Sequence, residues 1–104
     1  MSIRHPSPPS HPGDILRDRY LQPRGLPPRA LARALHISSS RMHRLIHGEL
    51  GITADLAVRL GLYFNEHPMV WMIRQAKYDV AELRHRDGKR LAGMVRPPQS
   101  DEDE

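Results

Sequence analysis

Apolar residues recur through the middle of this chain at intervals of three and four, and no segment alternates with a period of two, so the pattern predicts helices alone. In GDILRDRYLQ, Ile15, Leu16 and Tyr20 share a face, and Pro23 and Gly25 are expected to stop that first helix, which spans about 13–22. A second helix starts at Pro27 and Pro28, where entry and first turn tolerate proline, carries Leu31, Ala32 and Leu35 inward and ends near Leu35. Ser38 is a suitable N-cap for a third, with Met42, Leu45 and Ile46 at i, i+3, i+4 and Gly48 closing it. Thr53 caps a fourth, Asp55 favours its positive end, and Leu56, Ala57, Leu60 and Phe64 face in. The fifth begins at Pro68 and runs through MVWMIRQAKYDVAELR to about Arg84.

Outside these five helices the periodicity is lost. Residues 1–12 hold four of the ten prolines and read as a flexible N-terminal arm. Residues 85–104 read as a C-terminal tail, basic and then acidic, in which RLAGMV has the makings of one short docking turn. The expected organisation is therefore an all-α domain over 13–84, with a helix-turn-helix at 27–47, between two loose ends.

At 104 residues the chain has apolar content for one small core. The absence of cysteine excludes disulfides and thiolate metal sites and makes a reducing, cytoplasmic setting the expected one. No apolar run approaches the roughly 20 residues that span a bilayer, so no membrane role is expected. The formal charge of +4 understates the basicity: four of the twelve acids are the terminal DEDE, leaving 16 basic against 8 acidic side chains over residues 1–100. A polyanion is a plausible partner.

Two short helices joined by HIS have the proportions of a helix-turn-helix. That geometry needs a small residue where the helices cross, supplied by Ala32, and a residue tolerant of the left-handed region in the turn, where His36 stands. Ile37, Met42 and Leu45 would lock the angle. With Met42 pointing inward, Ser40 and Arg44 point almost directly away, flanked by Arg41, His43 and His47. Arginine can read guanine and serine can serve phosphate or base edge in a major groove, while free amides at the helix start add a phosphate site. The alternative is a solvated outer face on an ordinary bundle.

At residues 11–83 the sequence resembles the HigA (VapI-like) antitoxins, a branch of the Xre-type, lambda-repressor-like helix-turn-helix proteins. The resemblance rests on HPGDIL before helix one, GITADLAVRL at helix four, and the pattern P-x-x-W-x-x-x-Q-x-x-Y-D from Pro68 through Trp71, Gln75, Tyr78 and Asp79. It implies a five-helix DNA-binding domain that binds operator double-stranded DNA as a homodimer, represses its own operon and neutralises a HigB-type, RelE-like ribonuclease toxin. It also implies DNA contacts at Ser39, Ser40, His43 and Arg44, with Ser38 capping and Arg41 near the backbone. Many Xre proteins carry a DNA-touching glutamine where this chain has Pro28, which leaves Arg29 beside it to substitute. Glu49 and Leu50 stand where members often have basic residues, implying weaker backbone contact there. Toxin contact is expected at the arm and helix one, with Asp14 and Asp18 offered to a basic nuclease.

Other chemistries compete for the same residues. His43 and His47 at i, i+4 share a face, but a zinc site would need a third ligand from His36 or elsewhere, and no HExxH is present. A serine nucleophile at Ser38, Ser39 or Ser40 would need an oriented base and an oxyanion site that a small bundle does not offer. The expectation is therefore no enzyme, no catalytic residue, no metal and no cofactor. A solitary Xre-type regulator without a toxin, and a protein-interaction module that does not bind DNA, remain as alternatives. Trp71 is expected in the core. Helix five carries more apolar surface than one face can bury: Met69, Met72, Ile73, Ala76, Val80 and Leu83 either lie centrally in the bundle or form a two-fold interface.

Overall fold

The computed structural model describes residues 8–99. The expected arm over residues 1–7 and the acidic end of the tail lie outside the described residues. Five helices follow one another: α1 at residues 12–24, α2 Pro28–Leu35, α3 Ser39–Ile46, α4 Ala54–Phe64 and α5 Met69–Met94. No strand is present among the described residues.

Local chemistry sets most of the boundaries. Ser38 Oγ accepts from the Arg41 amide at 3.0 Å and Thr53 Oγ1 from the Leu56 amide at 3.2 Å, so both expected caps are in place. Each of the first four helices ends at or beside a left-handed residue: Gly25, His36, Gly48 and Asn65, with φ of 59°, 58°, 75° and 57°. In the turn between α2 and α3 the His36 amide donates to Arg33 O at 3.2 Å and the Ile37 amide to Ala32 O at 3.0 Å, a Schellman closure. The histidine thus holds the conformation expected of it.

Three boundaries differ from the sequence reading. Pro23 does not stop α1. The helix changes to π winding over Leu16–Leu21, with the Gln22 amide donating to Arg17 O, and a last turn, Gln22–Arg24, carries the proline. The Arg24 guanidinium takes the Tyr20 carbonyl at 3.0 Å, and Gly25 ends the helix. The arm ends before residue 12, because His11 and Pro12 are buried and Pro12 already opens α1. The tail begins later than residue 85: α5 continues ten residues past Arg84 to Met94, and RLAGM forms its final turns. Gly88 costs this extension about 1 kcal/mol relative to alanine. The good helix formers around it and the Asp87 ion pairs to Arg86 (3.2 Å) and Arg90 (3.6 Å) act against that cost.

One core joins all five helices. It contains Leu16, Tyr20 and Leu21 of α1, Leu31, Ala32 and Leu35 of α2, Met42, Leu45 and Ile46 of α3, Leu56, Ala57 and Leu60 of α4, and Trp71 of α5. Trp71 is fully enclosed, with the Tyr20 ring 5.0 Å away and the Arg74 guanidinium 4.7 Å over its face. Arg74 also donates to the Tyr20 hydroxyl at 2.8 Å, and that hydroxyl donates to Glu66 Oε2 at 2.8 Å.

Candidate nucleic-acid interface

α3 is held at both ends and from behind, which leaves one face to solvent. Ala32 is fully buried on α2, with Ile37 packed against the core and Met42 and Leu45 inside it. At the far end Arg17 Nη1 donates to Ile46 O at 3.1 Å, so a side chain of α1 takes one of the free carbonyls of α3. Behind the helix, a Cβ at Gly13 would collide with Leu45 O, so α1 and α3 approach as closely as only glycine allows. His11 Nδ1 accepts from the Gly13 amide at 2.9 Å and its ring meets Tyr78 edge-on at 4.9 Å.

On the outward face Ser38, Ser39, Ser40, His43, Arg44 and His47 are exposed and Arg41 is partly so. The Ser38 hydroxyl oxygen is committed to its cap. Ser39 and Ser40 side chains have no hydrogen bond to another described residue, so both hydroxyls remain available. Arg44 is 53% exposed, and its Nε lies 3.9 Å from Glu49 Oε1, an exposed pair worth less than about 1 kcal/mol that another anion can displace. The rings of His43 and His47 stack at 4.1 Å, and His47 Nδ1 lies 2.7 Å from His43 O. Among the described residues no three ligating side chains come together around a metal position. Arg29, exposed at the start of α2, faces Ser39 and His43 across an open cleft.

Arg41 is drawn to one side. Its guanidinium lies 3.8 Å from Asp55 in the first turn of α4, and Asp55 is also held by Arg59 at 2.9 Å. Arg59 in turn donates to Leu35 O at 2.7 Å. This chain of contacts fixes the end of α2 against α4. Sequence reading missed Arg59 and Arg17 because each is an ordinary surface arginine in its own helix.

The three stretches that carried the family resemblance have structural work of their own. Gln75 Oε1 accepts from the Ile52 amide at 2.6 Å, its Nε2 donates to Asp79 at 2.9 Å, and a Cβ on Gly51 would sit 3.1 Å from the Gln75 side chain. With His11 and Tyr78 these residues surround the loop that follows α3. They orient the helix and do not share its outer face.

The remaining expected sites fall elsewhere. Asp14 and Asp18 are exposed to 44% and 53%, and both are bridged by Arg17, at 3.3 and 2.9 Å. The hydrogen bond with Arg17 holds the Asp18 carboxyl below the usual carboxylate range and raises the arginine. On α5, Met69, Ile73, Ala76, Val80 and Leu83 are exposed. Met72 is not with them: it is half-buried and packs against the core, because it lies beside Trp71 on the inward side. No helix of the described residues is long and apolar enough to cross a membrane.

A capped, eight-residue helix presenting serines and arginine, set by a left-handed turn against a supporting helix of equal length, defines a helix-turn-helix regulator of the Xre, lambda-repressor-like type. The fold matches the Pseudomonas aeruginosa antitoxin HigA, solved with the higBA promoter, with a TM-score of 0.84 and 38% identity over 88% of this chain and 99% of that one. The chain belongs to the HigA family of antitoxins. It is 30% identical to antitoxin HigA-1 of Vibrio cholerae serotype O1 over 74 residues, 71% of this chain and 70% of that protein. It is also 49% identical over 70 residues to virulence-associated protein I of Dichelobacter nodosus, covering 67% of this chain and 65% of that relative's length. No family model matches the chain.

Proposed function

We propose that this chain is a cytoplasmic antitoxin that binds its own operator as a homodimer, represses its operon and neutralises a HigB-type ribonuclease toxin. The observation that carries the reading is the free face of α3, on which Ser39, Ser40, His43 and Arg44 are exposed, in a fold shared with a HigA solved with promoter DNA. In this reading Arg44 and Ser40 enter the major groove and His43 and His47 lie along its wall. Ser38, Ser39 and Arg41 meet the backbone at the helix start, and Arg29 reaches the phosphate beside them. The protein acts by binding, without a cofactor, metal or catalytic residue.

One α3 covers only a few base pairs, so a second copy supplies the second half-site, roughly 34 Å away on the same face of the duplex. The exposed face of α5 is the surface for that pairing. The toxin contact belongs, in this reading, to α1, at Asp14 and Asp18, which Arg17 joins to the far end of α3 and away from Ser39 and Ser40 at its start. Arg17 cancels one of their two charges, so shape contributes to that contact together with charge.

Titration of the DNA upstream of the gene, against a scrambled duplex of equal length, tests the reading. Binding of the natural fragment at least about a thousandfold tighter is expected; equal affinity for both would leave α3 as a solvated face. Co-purification with the product of an adjacent small basic reading frame tests the toxin. Loss of that complex on reversing both aspartates to lysine would locate it.

A further inference from the structure

The two histidines on the outward side of α3 differ in what their rings are free to do. His47 stands one residue beyond the helix, and its side chain folds back on the last turn. Its Nδ1 lies 2.7 Å from His43 O, a carbonyl that also accepts the His47 amide at 3.2 Å. A carbonyl oxygen only accepts, so Nδ1 carries the hydrogen, and in the neutral ring Nε2 is left with a lone pair. The His43 ring, stacked on that of His47 at 4.1 Å, supports its plane from one side. His47 is exposed, and its Nε2 makes no hydrogen bond to another described residue. The ring nitrogens of His43 are both uncommitted among the described residues, so the neutral His43 ring can present an N–H from either one.

The charged and titratable groups around this pair come from α3, its following loop and the two helices packed against it. Arg44 is paired with Glu49 at 3.9 Å, and Arg29 of α2 faces His43 across the open cleft. Arg17 of α1 sits on Ile46 O, with Asp14 and Asp18 on its other side. The His11 ring is 3.8 Å from where a Cβ on Gly48 would stand. None of the acids bonds Nε2 of His47. In the reading above, that nitrogen meets the DNA backbone, whose phosphate oxygens are acceptors only. A neutral His47 would turn its lone pair toward them, whereas a nearby phosphate favours the charged ring, which donates.

We infer that DNA binding draws a proton onto His47 Nε2, which then donates to a phosphate oxygen on the groove wall, so that the complex tightens as the pH falls. This rests on the reading of α3 above and adds a proton to it. His43 joins the same wall without one, donating from whichever nitrogen the groove requires. The direction follows from linkage. Above about pH 6.5, where a histidine ordinarily titrates, the complex holds more protons than the free chain and its DNA. Acidification therefore raises affinity, by up to about tenfold per pH unit for each copy, and the effect levels off where the free ring is charged too.

Calorimetric titration of the natural DNA fragment at about pH 7.5, in phosphate and in Tris buffers of different ionisation enthalpy, counts the protons taken up. The parent should take up about one per copy. His47→Gln, which keeps an N–H donor but cannot be charged, should lose that uptake and bind with a level affinity between about pH 8 and 6.5. His43→Gln should keep the uptake of the parent. The salt slope of the parent should steepen by about one per copy between pH 8 and 6, and that of His47→Gln should not. Zero uptake by the parent, or equal uptake by His47→Gln, overturns the inference while leaving sequence-specific binding intact. The reading of α3 fails on a different result, equal affinity for the natural and scrambled duplexes. Backbone phosphate is present in both, so the proton should still be counted on scrambled DNA at low salt.

Discussion

The side-chain oxygen of Gln75 accepts the Ile52 amide at 2.6 Å, joining the second turn of α5 to the residue that leads into α4. The bond spans 23 positions of sequence and ties down the loop that leaves α3. Replacing Gln75 with leucine keeps most of the volume and leaves a part-buried amide without its acceptor, a loss of about 1–3 kcal/mol. Urea denaturation of Gln75→Leu should therefore show a lower midpoint at unchanged slope. An unaltered midpoint would mean that water replaces the glutamine at no cost.

Gly13 and Gly25 separate two reasons for a glycine. At Gly13 an added Cβ strikes Leu45 O of α3, so Gly13→Ala must push α3 away from α1. At Gly25 nothing lies within 4 Å, and only the φ of 59° resists substitution. Gly25→Ala should cost about 1–2 kcal/mol and leave DNA binding at native levels in the folded fraction. Gly13→Ala should lower both stability and operator affinity. If the two variants bind operator equally well, the spacing of α1 and α3 does not set the reading face.

Arg44 and Arg29 test base reading against backbone contact. Arg44→Ala should cost about 1–3 kcal/mol on the operator and much less on scrambled DNA. Arg29→Ala should weaken both alike and reduce the salt slope by about one. Neither side chain belongs to the core, so thermal melting of both variants should match the parent. Titration at two salt concentrations decides, and an Arg44→Ala protein that binds operator normally would remove α3 from the interface.

Burial raises the Tyr20 hydroxyl above the ordinary tyrosine value near 10, opposed by the hydrogen bond from Arg74 and assisted by Glu66. A raised value in the folded state means the neutral phenol is favoured there. Its contribution is complete below about pH 10 and declines as the pH rises through the folded value. Stability of the parent, measured by denaturant midpoint, should fall more steeply above about pH 10 than that of Tyr20→Phe. Parallel curves would show that Tyr20 ionises no differently in the folded chain.

What the sequence determined by itself is what depends on neighbours a few residues apart. The faces of α2, α3 and α4, the Ser38 and Thr53 caps, and the left-handed conformation at His36 follow from helical periodicity and from groups within one turn. The outward set Ser40, Arg44, His43 and His47 follows for the same reason, because once Met42 faces the core the others have no freedom. Tertiary structure decided what depends on distant groups. Pro23 stays in its helix because the winding changes to π over Leu16–Leu21 and the proline falls in the first turn of the segment that follows. α5 runs through Gly88 to Met94 because charge pairs and good helix formers outweigh one glycine. Met72 turns inward, and His11 leaves the arm for the domain, because Trp71 and Tyr78 need partners that no local pattern names. Arg17, Arg59 and Gln75 acquire their roles from carbonyls and an amide more than 20 residues away. A side chain's nearest neighbours in sequence say nothing of such partners, since only the packed core brings them within hydrogen-bond reach.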